Sequence, residues 1–148
     1  MPETCLEKIY IGSDHAGFNL KASLVEYLRE LGLAVLDCGT HTPERCDYPD
    51  AAHKVCAGVL EHNCRGVLIC GSGQGMCMSA NRFKGIRAAL CTHEYHARGS
   101  RAHNNANIIC LGERVTATAL AKELLKIFLD TPFEGGRHVH RLELMEKF

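Results

Sequence analysis

Cys70-Gly71-Ser72-Gly73-Gln74-Gly75 sets a thiol and a hydroxyl inside a glycine-rich loop, directly after the apolar run Val67-Leu68-Ile69. A buried strand that breaks into such a loop and then into a helix turns several backbone N–H groups toward one point. That arrangement suits a phosphate or a developing oxyanion. A thiol beside a helix N-terminus has its thiolate favoured, from an unperturbed pKa of about 8.5 toward neutrality. A base near pH 7 is what proton abstraction next to a carbonyl requires. Cysteines at strand ends are also commonly inert buried groups, so it is the loop that marks Cys70 for chemistry.

Three other clusters carry candidate groups. Ser13-Asp14-His15-Ala16-Gly17 follows a short β run, and its Asp14 suits either a ligand or a helix cap. Ser100-Arg101-Ala102-His103-Asn104-Asn105 holds an isolated histidine, of a kind that often only faces solvent. Arg137 and Arg141 stand four apart, on one face of a helix. Their forks match phosphate oxygens, although a solvated helix face reads the same way.

Spacing removes several chemistries. Gly71, Gly73 and Gly75 make GxGxG, whereas a dinucleotide fingerprint needs its third glycine where Met76 stands. The acidic ribose partner is missing too, because Leu90-Cys91-Thr92 occupies its region. A cysteine-dependent phosphatase wants an arginine six residues after the thiol, and that residue is again Met76. His93 and His96 could share a helix face, but no second close ligand pair accompanies them, so no metal is expected.

The elements that must position these groups alternate. Strands are predicted at Lys8–Gly12, Leu33–Asp37, Gly66–Ile69, Gly85–Leu90 and Asn107–Gly112. Helices are predicted from the stripe Leu20, Leu24, Leu28, Leu31, then over Asp50–His62, Met76–Phe83, His93–Arg101 and Thr116–Leu129. Gly39 to Pro49 reads as a loop. Apolar strands alternating with helices imply an α/β fold, a Rossmann-like three-layer αβα sandwich with a five-stranded parallel sheet. Ligands of such sheets sit at the C-terminal strand ends, near a topological switch point. After Pro132, a Gly135-Gly136 pair leads into a helical tail reaching Lys147, long enough to contact a second copy of the chain.

The 148 residues suit a single domain, 1–148, of which 131–148 is the tail. Acidic and basic residues balance at 17 each, so no global field draws the chain to nucleic acid or membrane. No basic segment with an apolar core opens the chain, and no apolar run approaches a membrane span. A cytoplasmic protein is expected. Nine cysteines without a CxxC pair or a leader argue against a disulfide framework, and Cys56, Cys91 and Cys110 read as small core residues.

Taken together, the blocks resemble the B-type ribose-5-phosphate isomerases of the ribose/galactose isomerase family. They are Gly12-Ser13-Asp14-His15-Ala16-Gly17, Asp47-Tyr48-Pro49, the Cys70–Gly75 loop, Ala80-Asn81-Arg82-Phe83-Lys84-Gly85-Ile86-Arg87, Ser100–Asn104 and Gly135-Gly136-Arg137-His138. The resemblance implies metal-free, cofactor-free interconversion of ribose 5-phosphate and ribulose 5-phosphate through an enediolate. Cys70 would be the base, and the amides from Gly71 through Gly73 to Gly75 would hold the oxyanion with help from Ser72. His103 would open the sugar ring. Asp14 and Asn104 would hold sugar hydroxyls, Tyr48 would line the substrate site, and His15, Arg114, Arg137 and Arg141 would grip the phosphate. Relatives that use a glutamate base carry it where this chain has Met76, which leaves the thiol. The family's members are at least dimers with shared sites, so a homodimer or homotetramer is expected. A hexose-6-phosphate isomerase of the allose or galactose type, or a non-catalytic sugar-phosphate-binding protein, are the other readings.

Overall fold

Strands that are apolar on both faces need a ladder covered from both sides, and the computed structural model, which describes residues 5–148, has that form. Residues 1–4, on which part of the leader expectation rests, lie outside the described residues. The strands are β1 (Cys5–Ser13), β2 (Ala34–Asp37), β3 (Cys64–Cys70), β4 (Ala88–Leu90) and β5 (Ile108–Gly112). They pair in the order β2-β1-β3-β5-β4, and every pairing is parallel. The helices are α1 (Phe18–Glu30), α2 (Tyr48–His62), α3 (Gln74–Ala80), α4 (Glu94–Ala102), α5 (Thr118–Asp130) and α6 (Arg137–Met145). The predicted five-stranded sandwich is therefore the observed one.

The two-residue period of β3 divides the interior. Val67 and Ile69 join Leu24, Leu28, Leu124 and Phe128 in a core beneath α1 and α5. Leu68 and Cys70 face the other way, among Val55, Val59, Met76 and Ala80 of α2 and α3. Cys56, Cys91 and Cys110 are fully buried, as their apolar surroundings in the sequence imply.

Element ends shift where side chains take over backbone duties. Helix α2 begins at Tyr48 rather than Asp50, with Pro49 in its first turn, where a missing N–H costs nothing. Strand β4 starts at Ala88 rather than Gly85, because the Asn107 side chain bonds the Arg87 N–H and the Gly85 carbonyl. Strand β3 extends back to Cys64. Its buried Arg65 donates to the carbonyls of Phe128 and Leu129 at 2.7 Å, satisfying groups that the end of α5 leaves open.

The order of the strands fixes where the site lies. From β1 the chain moves outward to β2, then crosses back to β3 on the other side of β1. Connections that diverge in this way open a crevice between the C-terminal ends of β1 and β3.

Candidate active site

Ser13 and Cys70 end those two strands, so the Asp14 and Cys70 loops meet at the crevice. A cleft of about 550 Å³ lies there, lined by Asp14, His15, Tyr48, Cys70, Gly71, Ser72, Gly75 and Arg114, together with Gln74, Met78 and Val115. Eight residues singled out in the sequence thus converge within one chain.

Cys70 is 4 % exposed, and the Gly73 N–H donates to its Sγ at 3.1 Å, which fixes the direction of the thiol. Gly73 can make this turn because its φ is +80°, and a Cβ there would meet Leu90 at 2.6 Å. The Gln74 N–H donates to Ser72 Oγ at 3.2 Å. Two of the loop amides are therefore engaged inside the loop, and a ligand oxygen would fall to its other amides. Gly71 lies under Arg114, whose Nη1 is 3.2 Å from the position a Cβ would take. The Arg114 N–H also donates to the Gly71 carbonyl at 3.0 Å, tying this cation to the loop. Gly75 packs under the Tyr48 ring, 2.7 Å from where a Cβ would stand. Met76, in the place of a possible glutamate base, is fully buried in the α2/α3 core.

Asp14 does cap the turn His15–Gly17. Its Oδ1 accepts from the Ala16 N–H at 2.9 Å and the Gly17 N–H at 3.1 Å, while the second carboxylate oxygen remains for a ligand. His15 Nδ1 lies 3.2 Å from both the N–H and the carbonyl of Cys46, which anchors the ring by one nitrogen.

His103, Asn104, Arg137 and Arg141 do not line this cleft. His103 follows α4, its N–H bonded to the Gly99 carbonyl, and its ring stacks on His138 with centroids 4.7 Å apart. Asn104 is exposed, and its carbonyl accepts from Arg87 Nε at 3.1 Å. Arg137 opens α6, with Arg141 one turn later, both exposed. The tail is pinned to its own chain by the Arg87–Glu146 ion pair at 2.7 Å and by the Glu134 N–H on the Ala102 carbonyl.

Sequence reasoning did not single out Gln74, Met78 and Val115. Met78 and Val115 are 68 % and 58 % exposed, and the sequence marks them only by their nearness to the glycine loop and to Arg114. His93 and His96 stack at 3.8 Å, but among the described residues no third ligand joins them. Cys38, Cys46, Cys56, Cys70, Cys77, Cys91 and Cys110 are free thiols, and no helix among the described residues is long and apolar enough to cross a membrane.

Residues 9–145 match the model of the family described as ribose/galactose isomerase. The chain is 44 % identical to ribose-5-phosphate isomerase B of Escherichia coli strain K12, over 93 % of each chain. It is 42 % identical to D-erythrulose-4-phosphate isomerase of Pectobacterium atrosepticum, over 91 % of this chain and 90 % of that one. The structure of ribose-5-phosphate isomerase B from Clostridium thermocellum superposes with a TM-score of 0.93 at 48 % identity, covering 95 % of both chains.

Proposed function

The chain belongs to the ribose/galactose isomerase family, a family of sugar-phosphate isomerases, and from that premise we propose that it interconverts ribose 5-phosphate and ribulose 5-phosphate. The observation that carries this reading is the Cys70 thiol, directed by the Gly73 N–H into a cleft that also holds Asp14, His15 and Arg114. Two relatives of known name support the five-carbon substrate.

In the open-chain aldose, Cys70 as thiolate removes the proton from C2. Charge then develops on O1, where the free loop amides and Ser72 hold it. Removing one such oxyanion donor elsewhere costs about 2.7–4 kcal/mol. The thiol returns its proton to C1, and a hydroxyl proton moves from O2 to O1, which completes the ketose. These steps are proton transfers with no net oxidation or reduction of the sugar, so they call for no redox cofactor, and in this reading the loop amides take the charge-stabilising role. Asp14 and Tyr48 position sugar hydroxyls. His15 and Arg114 reach the phosphate.

His103 as ring-opening acid/base, Asn104 on the sugar, and Arg137 and Arg141 on the phosphate belong to the same site in this reading. None of the four lines the Cys70 cleft of its own chain, so a second copy supplies them in a homodimer, or a tetramer built from such pairs. Exposed Val139, Leu144 and Met145 on the tail, and Met78 and Val115 at the cleft rim, offer apolar surface for that contact. The whole chain then acts as one domain, with residues 131–148 packed against the partner. Free thiols suit a reducing compartment such as the cytoplasm.

Turnover of a panel of four-, five- and six-carbon sugar phosphates tests the substrate, with ribose 5-phosphate expected to give the highest kcat/KM. On it, Cys70→Ala is expected to lose at least 10²-fold in kcat, in line with the ~10²–10⁴-fold that general acid–base groups contribute. Full activity in Cys70→Ala would remove the thiol from the mechanism.

A further inference from the structure

Three side chains from separate parts of the sequence meet where the tail leaves the body. His138 Nε2 lies 3.4 Å from Glu134 Oε2, and His103 Nε2 lies 4.0 Å from the same oxygen. All three donor atoms fall within 4.8 Å of one another. Main-chain bonds build this cluster rather than chance side-chain approach. His103 is tied to the end of α4 by its N–H on Gly99, Glu134 is held by its N–H on the Ala102 carbonyl, and the His138 N–H bonds Gly135 at the start of α6. The two imidazoles stack at 4.7 Å with planes 20° apart, so both present Nε2 to the one carboxylate. His138 is buried, its side chain 8 % exposed, whereas His103 and Glu134 are 42 % and 59 % exposed and free to close in.

We propose that His103, Glu134 and His138 form a binding site for a zinc-class divalent cation, and that occupancy of this site stops turnover. Two imidazole nitrogens and one carboxylate oxygen are a donor set zinc accepts, with bonds of about 2.0–2.2 Å. A tetrahedral centre with such bonds puts donors about 3.4 Å apart, the separation already found between His138 and Glu134. His103 must close on Glu134 by roughly half an ångström and swing out of its stack on His138 so that the two imidazole lone pairs converge on one ion, a rotamer change open to an exposed ring. The same donors disfavour magnesium and calcium, which want all-oxygen shells. A cation here takes the lone pair of His103 Nε2, so that nitrogen can no longer exchange a proton with a sugar oxygen. That inhibitory consequence rests on the proposed role of His103; binding of the ion does not.

Titration of the full-length protein with Co²⁺, followed in the visible spectrum, and with Zn²⁺ by calorimetry, tests the site. Expected is one ion per chain, without a sulfur charge-transfer band. Affinity should fall at least tenfold in Glu134→Gln and in His138→Asn, with both variants checked for native circular dichroism. Mg²⁺ should give no heat. Unchanged affinity in Glu134→Gln, which lies at an exposed position and leaves the core intact, would overturn the proposal. So would a thiolate band in the cobalt spectrum, which would place the ion on a cysteine. In the turnover assay, the Zn²⁺ concentration for half inhibition should rise at least tenfold in Glu134→Gln, and chelator should restore wild-type rate. An ion bound at the cluster with turnover undiminished would overturn the inhibition and count against His103 as acid/base. A chain without isomerase activity would leave the cobalt titration as readable as before.

Discussion

At the level of single residues, the same amino acid does different work according to what surrounds it. Cys70 ends a strand with an amide on its sulfur and a cleft in front of it. Cys56 and Cys91 are sealed in the core, where burial pushes their thiols up from the ordinary 9.0 to about 12. Their raised values give stability that is fully present below pH 9 and is lost as pH rises from 9 toward 12, because only the unfolded chain ionises easily there. Each contributes about 1 kcal/mol of that loss by pH 10. The urea midpoint should therefore fall between pH 8 and pH 10, and fall less in Cys56→Ala; equal falls in both proteins would contradict the assignment. Cys77 differs again, since a hydrogen bond from the Cys110 thiol pulls it down to about 7. Arg137, exposed at the head of α6, is proposed to grip the phosphate. Arg137→Ala should raise KM by about tenfold with a smaller change in kcat, as loss of a charged hydrogen bond does. Steady-state kinetics with KM unchanged would remove it from the phosphate site.

Among the elements, the strand-loop-helix unit around Cys70 was legible because its physics is local. An apolar run must be buried, and the glycines after it must turn. Other boundaries depended on partners far along the chain. The expected strand starts at Gly66, yet the Arg65 guanidinium just before it finds the open carbonyls at the end of α5, and β3 runs back through it to Cys64. Gly85-Ile86-Arg87 reads as strand, but the Asn107 side chain occupies the groups a ladder would use. Tyr48-Pro49 reads as loop, and proline in fact opens α2. A pattern of residues along one segment carries none of these contacts. The tie between α1 and β2 is another: Lys21 Nζ lies 2.7 Å from both Asp37 oxygens, and Asp37 Oδ1 also accepts the Gly39 N–H. Lys21 is 3 % exposed. Asp37→Ala leaves its ammonium buried and unpaired and should cost about 3–5 kcal/mol. Lys21→Met leaves a partly solvated carboxylate that keeps the Gly39 bond, and should cost only about 1–2 kcal/mol. Chemical denaturation that ranks the two the other way would contradict this account of the pair.

For the whole molecule, the sheet order explains why most, but not all, of the expected site assembles in one chain. The switch between β1 and β3 gathers Asp14, His15, Tyr48, Cys70, Ser72 and Arg114. His103, Asn104, Arg137 and Arg141 were legible as candidates from their motifs. Their separation from Cys70 was not, because it follows from how α4 and the tail pack rather than from any spacing. The His103–Glu134–His138 cluster was hidden for the same reason, its members lying 31 and 4 residues apart in the sequence. The central claim is that Cys70 of one copy and His103 of another serve the same sugar phosphate. Mixing subunits that carry Cys70→Ala with subunits that carry His103→Ala, each inactive alone, tests it directly. Random pairing makes half of the dimers mixed, and each mixed dimer holds one intact site of two. Ribose 5-phosphate turnover should therefore return to about a quarter of the wild-type rate. A mixture as inactive as its parents, with exchange of subunits verified, would contradict the shared site.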